Sequence, residues 1–194
     1  MNEQPVYICI PTTVERKERL EVLKESLRVN AGYPYIVATY ENFQEGFIKP
    51  IHKLLSGLKP DTLVWCIGDD TLLIEKDTLK RLVEAYKPSC VVNPNDGIQC
   101  GAIITMPLCS AETMKKGTYI GYFLNSADVE FTMVLTAQKK YIYLPDVNVQ
   151  HSHWRNGKAP RDKTYTFADE MAGKDAQMFL LRKEAGFDDN ELLQ

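Results

Sequence analysis

The chain lacks any long apolar run. No stretch approaches the ~20 residues that a membrane-spanning helix requires. The opening MNEQPVYICI has no basic region leading into an apolar segment, so neither a signal peptide nor a transmembrane segment is expected. Cysteine is scarce, with five in 194 residues: Cys9, Cys66, Cys90, Cys100 and Cys109. An odd number without metal-knuckle spacing argues against a disulfide framework or a zinc knuckle. Free, mostly buried thiols in a reducing compartment are expected, and with them a cytoplasmic location. A net charge of −3 gives no global pull toward nucleic acid or an anionic membrane, so no nucleic-acid partner is expected. Internal repeats and long linkers are also missing.

What is present is ordinary in bulk and unusual in detail. Hydrophobic residues make up 44% and charged residues 25% of the chain, enough for one globular domain with a sizeable core. Apolar spacing predicts strands over 6–10, 33–40, 62–67 and 90–93, alternating with helices over 16–30, 45–58 and around Leu79, Leu82, Val83 and Tyr86. That alternation implies a mostly parallel α/β sheet covered by helices on both faces. In the second half, a strand over 102–106, a helix over 110–116, a helix over 128–138 and short strands over 141–144 and 147–150 are expected. Residues 154–165 read as a mobile basic loop with Arg155, Lys158, Arg161 and Lys163, and a last amphipathic segment carries Phe167, Met171, Met178 and Leu181.

The most informative stretch is Val64-Trp65-Cys66-Ile67-Gly68-Asp69-Asp70-Thr71. It reads as a buried strand ending in two adjacent carboxylates, which repel each other at close range. A hard divalent cation would remove that cost. Asp128-Val129-Glu130 forms a second acidic cluster. His151-Ser152-His153 places two imidazoles on one face of a strand, a weak zinc signal on its own.

Ligands of an open parallel sheet sit beyond the carboxyl ends of its strands. Three such ends are chemically rich: Pro11-Thr12-Thr13, Tyr40-Glu41-Asn42 and Gly68-Asp69-Asp70. Hydroxyls, a carboxylate with an amide, and an acidic pair together suit a nucleotide diphosphate. Arg16 and Lys49 lie near the same edge, where they could meet nucleotide or phosphate.

With these residues in place, the chain resembles a GT-A-fold glycosyltransferase, close to the family-two inverting enzymes. The resemblance runs from about residue 6 to 153. Ile8-Cys9-Ile10-Pro11-Thr12-Thr13 resembles the family's first strand and nucleotide-binding loop, and residues 64–83 its DxD segment. Gly101-Ala102-Ile103-Ile104 resembles the small-residue stretch lining the donor sugar. Ala127-Asp128-Val129-Glu130-Phe131, with Tyr143-Leu144-Pro145-Asp146 and Val149-Gln150-His151, resembles the Glu-Asp-x-Asp-Leu block and the strand after it. In two places the chain departs from the pattern: Gly68 stands where the first DxD aspartate is expected, and Ala127 where a glutamate is common.

The resemblance implies a GT-A (Rossmann-like) fold over 1–194, with a nucleotide-binding half to about residue 100, an acceptor half over about 101–165 and a C-terminal helix over about 166–186. It implies metal-dependent inverting transfer of a sugar from a nucleotide-sugar donor, a UDP-sugar, to a glycan, protein or lipid-linked hydroxyl. Asp128 would be the general base. Mn2+ or Mg2+ would be held by Asp70 and one of His151 and His153. Pro11, Thr12, Thr13, Arg16, Glu41, Gly68 and Asp69 would contact the nucleotide, and Gly101 and Ala102 the sugar. Lys49, Arg155 and Lys158 would meet phosphate, the last two as part of a lid.

Each residue also has a plainer reading. Asp69, Asp70 and Asp128 are good helix caps, Arg16 suits an exposed first helical turn, Glu130 could simply sit on the helix surface, and a basic loop is usually solvated. A sugar-phosphate nucleotidylyltransferase is a competing enzyme, but Pro11-Thr12-Thr13-Val14 is not the Gly-rich basic loop it usually needs. A nucleotide- or sugar-binding domain without catalysis is the third reading, kept open by Gly68.

Overall fold

The structure, a computed structural model, describes residues 4–41, 45–123 and 126–193. Strand β1 (Val6–Thr12) is followed by a single 3-10 turn (Val14–Arg16) and helix α1 (Lys17–Asn30). Then come β2 (Tyr35–Glu41), α2 (Ile48–Leu55), β3 (Leu63–Cys66), β4 (Thr71–Leu73), α3 (Thr78–Ala85) and β5 (Val91–Asn95). The second half holds β6 (Leu108–Ser110), α4 (Ala111–Gly117), α5 (Ala127–Ala137), β7 (Tyr141–His151), a 3-10 turn (Trp154–Asn156) and α6 (Lys163–Glu184).

The strands form one mixed sheet in the order β2-β1-β3-β6-β5-β7-β4. β1 runs parallel to β2 and β3, and β5 parallel to β7. β6 is antiparallel to both β3 and β5, and β4 is antiparallel to β7. Strand alternation sends successive residues to opposite faces. Ile8 and Ile10 pack with Leu20, Leu23 and Leu27 of α1 and Leu79 and Leu82 of α3. Cys9, Val64 and Cys66 pack on the other face with Ile51 and Leu55 of α2, Met114 of α4 and Phe131 and Leu135 of α5. Helices therefore cover both faces, as the alternation of elements implies.

The first half follows the sequence reading closely; the second half corrects it. Residues 102–106 form no strand. Their backbone is tied by side chains instead: Asn93 Oδ1 accepts the amides of Thr105 at 3.1 Å and Met106 at 2.9 Å, and Thr132 Oγ1 accepts that of Ile104 at 2.9 Å. The two short strands expected over 141–150 are one strand, whose pairing with β5 shifts register between Pro94 and Asn95. Its first part serves β5 and its last part β4. Cys9, Cys66 and Cys109 are buried free thiols, but Cys90 is half-buried and Cys100 exposed.

The basic segment is the start of α6 preceded by a 3-10 turn, and three of its four cations have partners. Arg155 and Arg161 each meet Asp169 at 2.8 Å, and Lys163 meets Glu15 at 2.9 Å. The self-repulsion implied by its composition is thus answered by carboxylates. Among the described residues no helix is long and apolar enough to cross a membrane.

Helix α6 is anchored on α5 through a buried ion pair. Glu130 accepts from Arg182 Nε at 2.8 Å and Nη2 at 2.7 Å, from Tyr122 at 2.7 Å and from Asn190 at 3.0 Å. Glu130 is therefore buried and not a surface residue. Removing one partner of a buried pair strands the other charge, at about 3–5 kcal/mol. Arg182→Met is expected to lower unfolding stability by that amount in urea denaturation.

Candidate active site

Four strand ends and two helix starts converge on one cleft of about 600 Å3. The tip of β1 contributes Pro11, Thr12 and Thr13, and the segment after β3 contributes Gly68, Asp69 and Asp70. Asp96 follows β5, and His151 ends β7. Asp128 lies in the first turn of α5 and Tyr165 in the first turn of α6.

The two adjacent aspartates have separate surroundings. Asp69 accepts Thr12 Oγ1 at 2.8 Å and Arg16 Nη1 at 2.9 Å. Burial pushes its carboxyl above the usual range, and Arg16 only partly offsets this. Asp70 accepts the Tyr165 hydroxyl at 2.8 Å and faces His151 Nε2 at 3.5 Å. Burial opposes its charge, but His151 and Arg16 outweigh burial and hold it well below the usual carboxylate range. Neither aspartate caps a helix, because β4 begins at Thr71. Gly68 has a steric reason as well. A Cβ there would lie 2.5 Å from Asp70 Oδ1, so a side chain would displace the carboxylate from its contacts.

Arg16 is buried, not an exposed first-turn residue. Besides Asp69 it donates to Asp162 through Nε at 2.9 Å and Nη2 at 3.0 Å, and its guanidinium lies 4.3 Å from the Tyr165 ring centroid. Asp162 in turn caps α6, accepting the Tyr165 amide at 3.1 Å.

Beside Asp70, His151 stands between two carboxylates. Its Nδ1 is 3.9 Å from Asp96 Oδ2, beyond hydrogen-bond length, and has no hydrogen-bond partner among the described residues. Burial alone would lower its pKa, but Asp70 and Asp96 raise it to about 9. Thr71, the register partner of His151, lines the same cleft, and its buried Oγ1 also lacks a hydrogen-bond partner among the described residues. His153 uses Nδ1 to accept the Arg155 amide at 3.2 Å, and its ring centroid is 5.5 Å from that of His151.

Among the described residues, no group of three or more His, Cys, Asp or Glu side chains is gathered to hold a metal ion by itself. Asp70 and His151 still present a carboxylate oxygen and an imidazole to one point beside unpartnered polar atoms. That donor set fits a hard divalent cation that shares its remaining positions with phosphate and water, as such cations commonly do.

On the far side of the cleft, Ser126 rather than Asp128 is the α5 cap residue. Asp128 Oδ1 accepts the Val129 amide at 2.8 Å. Burial, with Asp175 nearby, pushes its pKa up to about 6. Phe47, Met106, Phe123, Phe131, Phe167 and Met171 make this side largely apolar.

Other expected contacts stand apart from the cleft lining. Glu41, Ala102 and Lys158 are exposed outside it. Lys49 is also exposed, with its ammonium 5.8 Å from the Phe123 ring centroid. Gly101 adopts φ +83° against the Tyr143 ring, where an added Cβ would come within 2.6 Å of ring carbons. Arg155 does line the cleft. Asn42 falls outside the described residues. Sequence reasoning misses Asp96, Asp162 and Tyr165. Asp96 was within reach, since it lies just past a predicted strand end. Nothing in the local pattern marks the other two.

No protein-family model matches the chain, and no curated protein matches it in sequence. Solved structures do match in fold. The catalytic domain of Drosophila β1,4-galactosyltransferase 7, complexed with xylobiose, aligns at TM-score 0.57 and 12% identity, over 83% of this chain and 78% of that one. A mutant of that enzyme complexed with manganese, UDP-Gal and xylobiose aligns at TM-score 0.54 and 12% identity, over 84% and 79%. The glycosyltransferase GlyE of Streptococcus pneumoniae aligns at TM-score 0.47 and 12% identity, over 74% and 46%. The chain has the GT-A type of fold that its motifs lead one to expect.

Because Arg16 holds two carboxylates, Arg16→Met is expected to cost about 3–5 kcal/mol at neutral pH. The sign of its pH dependence is fixed. Without Arg16, the folded-state pKa values of Asp69, Asp70 and Asp162 rise, so the loss is full above the variant's raised values and shrinks as pH falls through them toward the wild-type values. Thermal melts at pH 3.5 and pH 7 will show the gap between variant and wild type narrowing in acid.

Proposed function

We propose that this protein is a metal-dependent inverting glycosyltransferase that moves a sugar from a UDP-sugar to a hydroxyl acceptor. The observation that carries this reading is the meeting, in one GT-A-type cleft, of a strand-tip carboxylate paired with histidine and a helix-start carboxylate of weakened acidity. The likeness to a galactosyltransferase crystallised with manganese, UDP-Gal and xylobiose supports the class of donor and of cation.

In this reading Pro11, Thr12 and Thr13 receive the nucleoside. Thr13 Oγ1 is buried on the cleft wall without a hydrogen-bond partner among the described residues, a hydroxyl available to a base or ribose. Asp69, oriented by Thr12 and Arg16, takes the ribose hydroxyls. Asp70 and His151 hold Mn2+ or Mg2+, which when bound neutralises the charge of the departing diphosphate. Asp128 accepts the proton of the acceptor hydroxyl while that oxygen bonds to the anomeric carbon and the bond to diphosphate breaks. A carboxylate with a pKa near 6 is a better base than an ordinary aspartate and is still ionised at neutral pH.

UDP binding is expected to depend on metal, and Asp70→Asn to weaken it sharply. Calorimetry in Mn2+ and in EDTA decides this: equal affinities would remove the metal from the reading.

Asp128→Asn is expected to retain UDP binding while transfer falls by a factor on the order of 10² to 10⁴, the range typical of a general base. The wild-type rate should rise with pH through about 6, where Asp128 deprotonates, and the variant should lose that limb. Near-normal turnover by the folded variant would reduce Asp128 to a helix-start residue.

A further inference from the structure

Asp96 follows β5 and is almost completely buried, yet the transfer chemistry gives it no task. Its two oxygens are used differently. Oδ1 accepts the amides of Ile98 at 3.0 Å, Gln99 at 2.8 Å and Cys100 at 3.3 Å. These contacts fasten the tight turn in which Gly97, Cys100 and Gly101 all have positive φ. Oδ2 accepts the Thr105 hydroxyl at 3.1 Å and is otherwise turned to His151 Nδ1 at 3.9 Å. Nδ1 is buried and has no hydrogen-bond partner among the described residues.

An imidazole can offer Nε2 as a ligand only when its single proton sits on Nδ1. His151 aims Nε2 at the Asp70 side of the cleft. The proton on Nδ1 then needs an acceptor, and the carboxylate facing it is Asp96. At 3.9 Å the pair is longer than a hydrogen bond, so the contact requires the ring to turn toward Asp96. We infer that Asp96 is a positioning residue: it takes the Nδ1 proton of His151 in a hydrogen bond and so fixes the tautomer and ring orientation that present the Nε2 lone pair beside Asp70. The inference rests on the proposed metal-dependent reading, in which His151 is a ligand. Acceptors of this kind behind ligating histidines commonly change metal affinity about 10- to 100-fold.

The conservative variant separates this role from turn fastening. In Asp96→Asn the three amides demand an oxygen at the Oδ1 position, so the new NH2 group must occupy the Oδ2 position. The turn keeps its contacts, but His151 Nδ1 meets a donor instead of an acceptor. The readout is long-range 1H–15N NMR of the His151 ring in the metal-free protein, at a pH where the ring is neutral. The wild type is expected to carry its proton on Nδ1, and Asp96→Asn to move it to Nε2. Mn2+ affinity, followed by the paramagnetic resonance of free Mn2+ in the presence of UDP, is expected to fall about 10- to 100-fold in the variant. A wild-type ring protonated on Nε2 overturns the inference whether or not the variant folds, and so does an unchanged tautomer in the folded variant. Wild-type protein that binds no Mn2+ with UDP would instead overturn the metal-dependent reading, and the NMR result on Asp96 would stand independently of it.

Discussion

The guanidinium of Arg16 is the interaction on which the cleft depends. Two consecutive carboxylates at a strand tip cannot both be buried and ionised without a cation close by. The sequence alone suggests that a bound metal removes the whole cost. In the folded chain Arg16 removes part of it by holding Asp69, which leaves Asp70 to His151 and Tyr165. The same guanidinium reaches Asp162 and lies on the Tyr165 ring, so it joins the tip of β1, the acidic pair and the start of α6. Charge neutralisation and assembly of the cleft wall are therefore one event.

Helix α6 is held at both ends by such pairs. Its N-terminal end rests on Arg16 through Asp162, and its C-terminal part is fixed by Arg182 on Glu130 of α5. Between them Phe167, Ala168 and Met171 wall the cleft. A helix pinned by buried charges at separated points resists sliding, because slippage would strand several charges together. The far wall of the cleft is thereby fixed both to Arg16 beside the tip of β1 and to α5, the helix that carries Asp128.

The sequence revealed most where side-chain periodicity decides structure. Ile8, Ile10, Leu20, Leu23 and Leu27 announce β1 and α1, and the run ending at Asp69-Asp70 announces β3 and the candidate site. It failed where long-range hydrogen bonds decide. Ala102-Ile103-Ile104-Thr105-Met106 has strand-like composition, yet Asn93 and Thr132 take its amides and hold it as a turn. β4 is only three residues long and exists because β7 continues past its pairing with β5 to meet it. Arg16 looked like a surface residue because its two carboxylate partners lie 53 and 146 positions away. Asp162 and Tyr165 sat in what read as a solvated basic loop, since no local pattern tells that a helix N-terminus will fold back over a distant strand tip.

The cleft holds carboxylates in opposite electrostatic situations. Asp70 sits among a histidine, an arginine and a tyrosine hydroxyl, which together outweigh burial and keep it ionised. Asp128 is half-buried, and desolvation with Asp175 nearby raises its pKa, so it gives up its proton only near pH 6. Environments that push the acidities of two similar groups apart are how one site assigns different tasks to the same side chain. A group that must hold a cation should never be protonated at working pH, whereas a base that must take a proton from a hydroxyl works better when its own acidity is weak. Asp70 has the first property and Asp128 the second. On the proposed reading, exchanging their surroundings would spoil both tasks, because the division of labour between the two carboxylates would follow from where Arg16, His151 and the apolar wall lie.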